Sequence, residues 1–354
     1  MPLVTDERPS AAAPATDASL RGTLRGTLRA LRTLFGDGAL VAAGSGSPLE
    51  RIAIRSDPPS VAPCVPLEAY GARPIAVPTE PLVAAFLDGV QRSRVVGYLA
   101  GSPLIYASVA AAVRERVARR LETWREPSLR RALFASRGKL GETAWHQLVD
   151  SGVAVVDITA DVSDEAIPVH PFALRARALD LVALEREGLE RRLAAEWCRR
   201  ESRWLWIDGG ISGNLAVDER ATAFGVVKSH TTLYGSVEQV ESVLTLKEAE
   251  RSPAFLVGHR PRRAVASWYL RLRTAAGGDP LHGLVRVEIS PPVDMLDPDQ
   301  ITDDARARLT AHCDRLSAGI LAERAPLSLP DPRWDTLTYG IHACEMYLDA
   351  LVGI

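Results

Sequence analysis

Residues 82–113 read LVAAFLDGVQRSRVVGYLAGSPLIYASVAAAV. Three apolar, β-branched-rich runs lie in this stretch, Leu82 to Asp88, Arg94 to Ala100 and Leu104 to Val113, separated by GVQRS and AGSP. Short apolar runs punctuated by glycine, serine and proline signal strands with tight connections. The stretch therefore predicts a three-strand antiparallel meander whose first strand ends on Asp88. A carboxylate at the end of a buried strand needs a partner, because an unpaired buried charge is very costly. The context recurs in WLWIDG, residues 204–209, where a second apolar run ends in Asp208 followed by glycine. Two such aspartates point to neighbouring strands that bring carboxylates to one place, which is how hard divalent cations are gathered. For each aspartate alone, a carboxylate capping the turn after its strand is the competing reading.

Outward from these motifs, Arg114 to Arg137 carries a dense arginine run and reads as a helix broken near Pro127. Val153 to Ile158 reads as a strand. Phe172 to Arg200 reads as a long helix with Leu174, Ala178, Leu181, Val182, Leu189, Leu193 and Trp197 along one stripe. It runs into the strand Trp204 to Asp208. Later strands are expected at Ala223 to Ser229, Ala254 to Gly258, Val265 to Arg273 and Leu284 to Ile289, with helices at Asp303 to Arg324 and Trp334 to Val352. This is a mixed α/β plan, unlike the regular βαβ alternation of a dinucleotide-binding fold. Upstream, residues 1–17 read as a disordered tail. Leu20 to Phe35 alternates leucine with arginine, a basic amphipathic helix suited to packing on a core or docking a partner. Residues 44 to 81 read as irregular connection. The expected organisation is a tail (1–17), an N-terminal helix with its connection (18–80) and one domain (81–354).

The 354 residues, 47% hydrophobic and 24% charged, are enough to bury a sizeable core. A net charge of −2 gives no bulk argument for a polyanionic partner. No apolar run reaches the roughly 20 residues that span a bilayer, and no secretory signal is evident. Cys64, Cys198, Cys313 and Cys344 are scattered without CxxC spacing, which reads as free thiols in a reducing cytoplasm. The glycine-rich GSGSP near Gly44 and GGISGN near Gly209 lack GxxxxGK[ST], and Ser212 lacks a GxSxG frame. The histidines other than His342 show no metal-ligand spacing.

Six segments, in order, resemble the motifs of the NurA family of nucleases, members of the RNase H-like superfamily that partner HerA-type ATPases. They are FLDGVQRSRVVGYL, LERRLAAEWC, WLWIDGGIS, FGVVKSH, WYLRL with LVRVEI, and YGIHACEMYLDAL. The resemblance covers roughly residues 80 to 354. It implies an α/β fold with an RNase H-like mixed sheet, an antiparallel three-strand meander, flanking helices and an N-terminal helical extension. It implies a cytoplasmic Mn²⁺- or Mg²⁺-dependent deoxyribonuclease that cuts single strands, degrades ends and hydrolyses phosphodiesters by a two-metal mechanism. Its partners would be DNA, a HerA-like hexameric ATPase and a second copy of itself, in DNA end processing, repair or phage defence.

Mapped onto this chain, the resemblance implies a catalytic set of Asp88, Glu190, Asp208, Lys228 and His342. Asp88, Glu190, Asp208 and His342 would be metal ligands. Glu190 lies in the segment that matches best, whereas Glu185 lies nearer the centre of the apolar stripe at 100° per residue, so both stay open. His342 would supply a nitrogen ligand or polarise water, and Lys228 would hold a phosphate oxygen as a point charge. Against these stand an arginine-paired glutamate, a packed histidine and a snorkelling lysine. Two rival functions remain: a catalytically inactive adaptor for the ATPase, and an unrelated α/β enzyme whose aspartates only cap turns.

Overall fold

The computed structural model describes residues 23–42, 58–76, 81–161, 170–213, 217, 222–258, 264–274, 279–324 and 334–353. Among them one mixed sheet holds 13 strands. Its principal strands are β1 (Ala85–Leu99), β2 (Ser102–Val117), β3 (Arg120–Ala135), β4 (Val155–Asp157), β5 (Leu205–Asp208), β6 (Ala223–Val227), β7 (Phe255–Val257), β8 (Val265–Arg271) and β9 (Leu284–Ile289). They lie in the order β7-β8-β9-β6-β5-β1-β2-β3-β4. Six helices flank the sheet: α1 (Leu24–Ala39), α2 (Arg137–Asp150), α3 (Pro171–Arg200), α4 (Val237–Leu244), α5 (Asp303–Ala322) and α6 (Tyr339–Val352). The mixed α/β plan and the antiparallel meander are therefore present.

The meander is built from longer strands than the punctuation implies. GVQRS is no turn: it continues β1, so the first two apolar runs form one strand of 15 residues. AGSP is the turn, with Ala100 and Gly101 both at positive φ; two such residues match the right-handed twist of flanking strands. The third strand is β3, which corrects the helical reading of Arg114 to Arg137. Exposure alternates only over Arg120 to Thr123, and the alternation is lost beyond Trp124, where the β2–β3 register shifts between Ala111 and Val113. Arg125 sits at positive φ beside the shift, and Pro127 falls there too, where no ladder donor is needed.

Parity along β1 sorts the two faces. Leu87 packs with Leu189 and Leu193 of α3, while Phe86 packs with Trp206 and with Ile341 of α6. Opposite Asp88, Ala112 joins Cys344 and Leu348 of α6. α3 and α4 thus cover one face, and α5 and α6 the other. α1 packs Leu31 against Val96, Leu104 and Tyr106 on that second face, so the N-terminal helix rests on the far half of the meander. Its described part begins at Leu24, and Leu20 lies outside the described residues, as do the expected tail and GSGSP. Residues 58–76 carry three short strands, Ser60–Ala62, Val65–Pro66 and Arg73–Pro74, where irregular connection was expected. No helix among the described residues is long and apolar enough to cross a membrane.

Candidate metal centre

β1 and β5 run parallel at the middle of the sheet, paired through Ala85↔Leu205, Phe86↔Trp206 and Leu87↔Ile207. One residue further, where that pairing ends, stand Asp88 and Asp208. Gly209 takes φ +107, and its carbonyl lies where a side chain on Gly225 of β6 would stand. Asp208 closes β5, whereas Asp88 is the fourth residue of β1, which runs on to Leu99 rather than ending there; the two aspartates stand side by side where the β1–β5 pairing stops.

A third carboxylate comes from α6. Asp88, Asp208 and Glu345 each bring an oxygen to within 4.8 Å of the other two. What positions Glu345 is the seating of α6: Gly340 lies so close to Phe86 that a Cβ there would enter the aromatic ring. Cys344, next to Glu345, is buried with its Sγ 3.5 Å from the carbonyl oxygen of Ala112. Burial and the nearby Asp88 push that thiol far above its usual range, so it is inert packing.

Asp88 is 7% exposed. Its Oδ1 accepts a 2.7 Å hydrogen bond from the Gly89 amide. Burial, then the charge of Asp208, hold its carboxyl well above the usual range, with Glu345 and Glu190 adding to the effect. Two like-charged carboxylates this close favour a proton on one unless a cation joins them. Lys228 places Nζ 2.8 Å from Oδ1 of Asp208. His342 directs Nδ1 towards Glu345, 3.7 Å from Oε2, one turn away on the same helix; this nitrogen is buried and makes no hydrogen bond.

Glu190 reaches the same end of the sheet from the opposite face. Its carboxylate rests on the bare Cα of Gly89, where any Cβ would overlap it, and it pairs with Arg186. Burial lifts its carboxyl to about 7 even against that arginine. Glu190 is thus a neighbour of the three-carboxylate group and not a member of it, because α3 covers the face to which Gly89, rather than Asp88, points. Glu185 pairs with Arg130 of β3, away from the centre, so of the two helix carboxylates Glu190 is the one beside Asp88.

Of the residues named from sequence, Asp88 and Asp208 converge, Lys228 and His342 contact the group through Asp208 and Glu345, and Glu190 adjoins it. Glu345 was missed. Its signal was its place at the edge of the buried stripe formed by Ile341, Cys344, Leu348 and Val352. An all-oxygen donor set with excess negative charge suits a hard divalent cation such as Mg²⁺ or Mn²⁺, and lacks the thiolates that would favour softer metals. Comparison of the chain with protein-family models and with curated proteins finds no match.

Proposed function

We propose that the protein is a metal-dependent deoxyribonuclease with an RNase H-like core similar to the NurA nucleases, acting on single strands and on DNA ends. The observation that carries this reading is the meeting of Asp88, Asp208 and Glu345 within 4.8 Å, just beyond the point where the pairing of two central parallel strands stops. The order of elements, a meander bearing Asp88, a helix bearing Glu190 and a strand ending in Asp208, supports the RNase H-like assignment.

Asp88, Asp208 and Glu345 would hold one divalent ion, Mn²⁺ or Mg²⁺, and Glu190 beside Asp88 is the donor available to a second. Such ions stabilise the attacking and leaving oxygens of a phosphodiester and lower the pKa of bound water. Lys228 leaves Asp208 to hold a non-bridging phosphate oxygen, for which its compact ammonium is suited. His342 stands beside the Glu345 carboxylate, with Nδ1 3.7 Å from Oε2. Gly89 keeps Glu190 close by offering no side chain. A HerA-like hexameric ATPase and a second copy of the chain are the partners proposed with this activity.

The test is Mn²⁺-dependent cleavage of labelled single-stranded DNA by the purified chain, with and without EDTA. Cleavage abolished by EDTA and by Asp88→Asn or Asp208→Asn is expected. Metal-supported DNA binding without any cleavage would replace the nuclease with an inactive adaptor, and neither binding nor cleavage would reject the reading.

A further inference from the structure

Glu288 of β9 is a buried carboxylate, 3% exposed, that stands outside the three-carboxylate group. Its cross-strand neighbours are Gly225 of β6 and Ser267 of β8. Along β9 it shares a face with Leu284, which packs in the cluster beneath α3. Asp208 has the parity of Trp206, which packs on the other face. The two acids therefore lie on opposite sides of the sheet, joined by the turn that follows Asp208.

That turn crosses the sheet at Gly225. The Gly209 amide donates to the Val226 carbonyl at 2.9 Å. A Cβ on Gly225 would overlap the Gly209 carbonyl and press on Ile211, so the absent side chain opens the crossing. Ile211 then buries itself in the cluster beneath α3. Glu288 fastens it there: Oε2 accepts the Ile211 amide at 2.8 Å, and Oε1 pairs with Arg286. Arg286 also donates to the Ser267 hydroxyl at 3.3 Å and lies over the Tyr234 ring. A buried carboxylate is costly unless its oxygens are engaged, and both are engaged here. Gly209 and Gly210 bring no side chain to hold the turn and are the residues with most backbone freedom to lose. The bond at Ile211, three residues beyond Asp208, is what fixes its path.

We infer that Glu288, seated by Arg286, is a positioning residue for the metal centre. It anchors the turn on the far face of the sheet and so holds Asp208 towards Asp88 and Glu345. Ligands held from behind by such partners lose metal affinity when the partner is removed. The inference rests on the metal reading of the three carboxylates, though not on cleavage of DNA.

The experiment is isothermal titration of the full chain with Mn²⁺, comparing two double variants. Arg286→Met with Glu288→Leu removes the acceptor of the Ile211 amide, whereas Arg286→Met with Glu288→Gln keeps one. Both variants lack the same ion pair, so the hydrogen bond is what differs. Replacing both members of a buried ion pair with uncharged side chains often leaves the fold intact. The leucine variant should bind Mn²⁺ about tenfold more weakly than the parent, and the glutamine variant within about threefold of it. A merely structural Glu288 would lower the unfolding midpoint of the leucine variant and leave its Mn²⁺ affinity at the parent's. That result, or equal weakening in both variants, overturns the proposal. Where the leucine variant fails to fold, Gly210→Ala replaces it: the added methyl stands 3.0 Å from Glu288 Oε2 and removes no polar group. It should weaken Mn²⁺ binding, and parent-like binding overturns the proposal. A parent that takes up no Mn²⁺ rejects the metal reading separately, and crystal structures of the variants in EDTA then decide the positioning. Asp208 should leave Lys228 in the leucine variant and keep its 2.8 Å contact in the glutamine variant; Asp208 unmoved in both overturns the anchor.

Discussion

Nζ of Lys228 lies 2.8 Å from Oδ1 of Asp208, so a lysine just past the end of the neighbouring parallel strand supplies positive charge to a group of acids that a divalent ion would otherwise neutralise. The two cations compete for one carboxylate. Lys228→Met should tighten Mn²⁺ binding about tenfold, equivalent to about 1.4 kcal/mol. It should also lower the stability of the metal-free protein by about 1–2 kcal/mol, through the loss of a charged hydrogen bond. Calorimetric titration and unfolding in EDTA measure the two effects. Weaker Mn²⁺ binding in the variant would mean that Lys228 supports the ion instead of opposing it.

Glu345 depends on a helix seated against an aromatic ring. Gly340→Ala adds one methyl group where Phe86 already stands, so α6 must shift and carry Glu345 with it. Overpacking of this kind costs about 1–3 kcal/mol. The variant should unfold at lower temperature and bind Mn²⁺ more weakly, although no ligand is altered. Loss of stability with full metal affinity would show that Glu345 reaches the ion independently of this contact.

The two glutamates of α3 differ by which strand they face. Glu190→Gln should strongly reduce Mn²⁺-dependent cleavage, because it alters a carboxylate against Gly89. Glu185→Gln breaks a surface pair with Arg130 and should leave cleavage within about twofold, as such pairs contribute little. Equal effects in the two variants would remove Glu190 from the centre.

The pH dependence of the metal-free protein follows from Glu190 and Asp88. The Glu190 carboxyl rises from 4.5 to about 7 on folding, so the folded state keeps a proton that the unfolded chain loses. Its contribution is complete below pH 4.5 and disappears as pH climbs to about 7, a decline of up to roughly 3 kcal/mol. Asp88 shifts in the same direction. Stability in EDTA should therefore fall with rising pH across this window, and Glu190→Gln should flatten the slope. Mn²⁺ should reverse the trend, binding more tightly as pH rises and releasing protons. A slope that survives in Glu190→Gln would place the proton elsewhere.

Much of the centre was legible in the sequence because its first two acids sit in apolar runs ended by glycine. A charge placed by a buried strand announces itself. Glu345 does not: it lies at the flank of an amphipathic helix, where a carboxylate is ordinarily solvated, and only the fit of Gly340 on Phe86 turns that flank inward. Periodicity put Glu185 nearer the centre of the stripe, yet Glu190 is the one beside Asp88, for a related reason. Helical angle shows which positions face the sheet, but not which flank overlies central β1 and which the arginines of β3. The misread helix at Arg114 to Arg137 reflects a long hairpin whose exposed arginines and register shift erase the two-residue alternation on which strand recognition depends.

The central claim is that Asp88, Asp208 and Glu345 share one divalent ion, and isothermal titration of the full chain with Mn²⁺ tests it most directly. Binding by the parent, weakened at least about tenfold by each of Asp88→Asn, Asp208→Asn and Glu345→Gln, is the predicted result. Parent-like titration of the Glu345→Gln variant, or no Mn²⁺ binding by the parent at all, would contradict it.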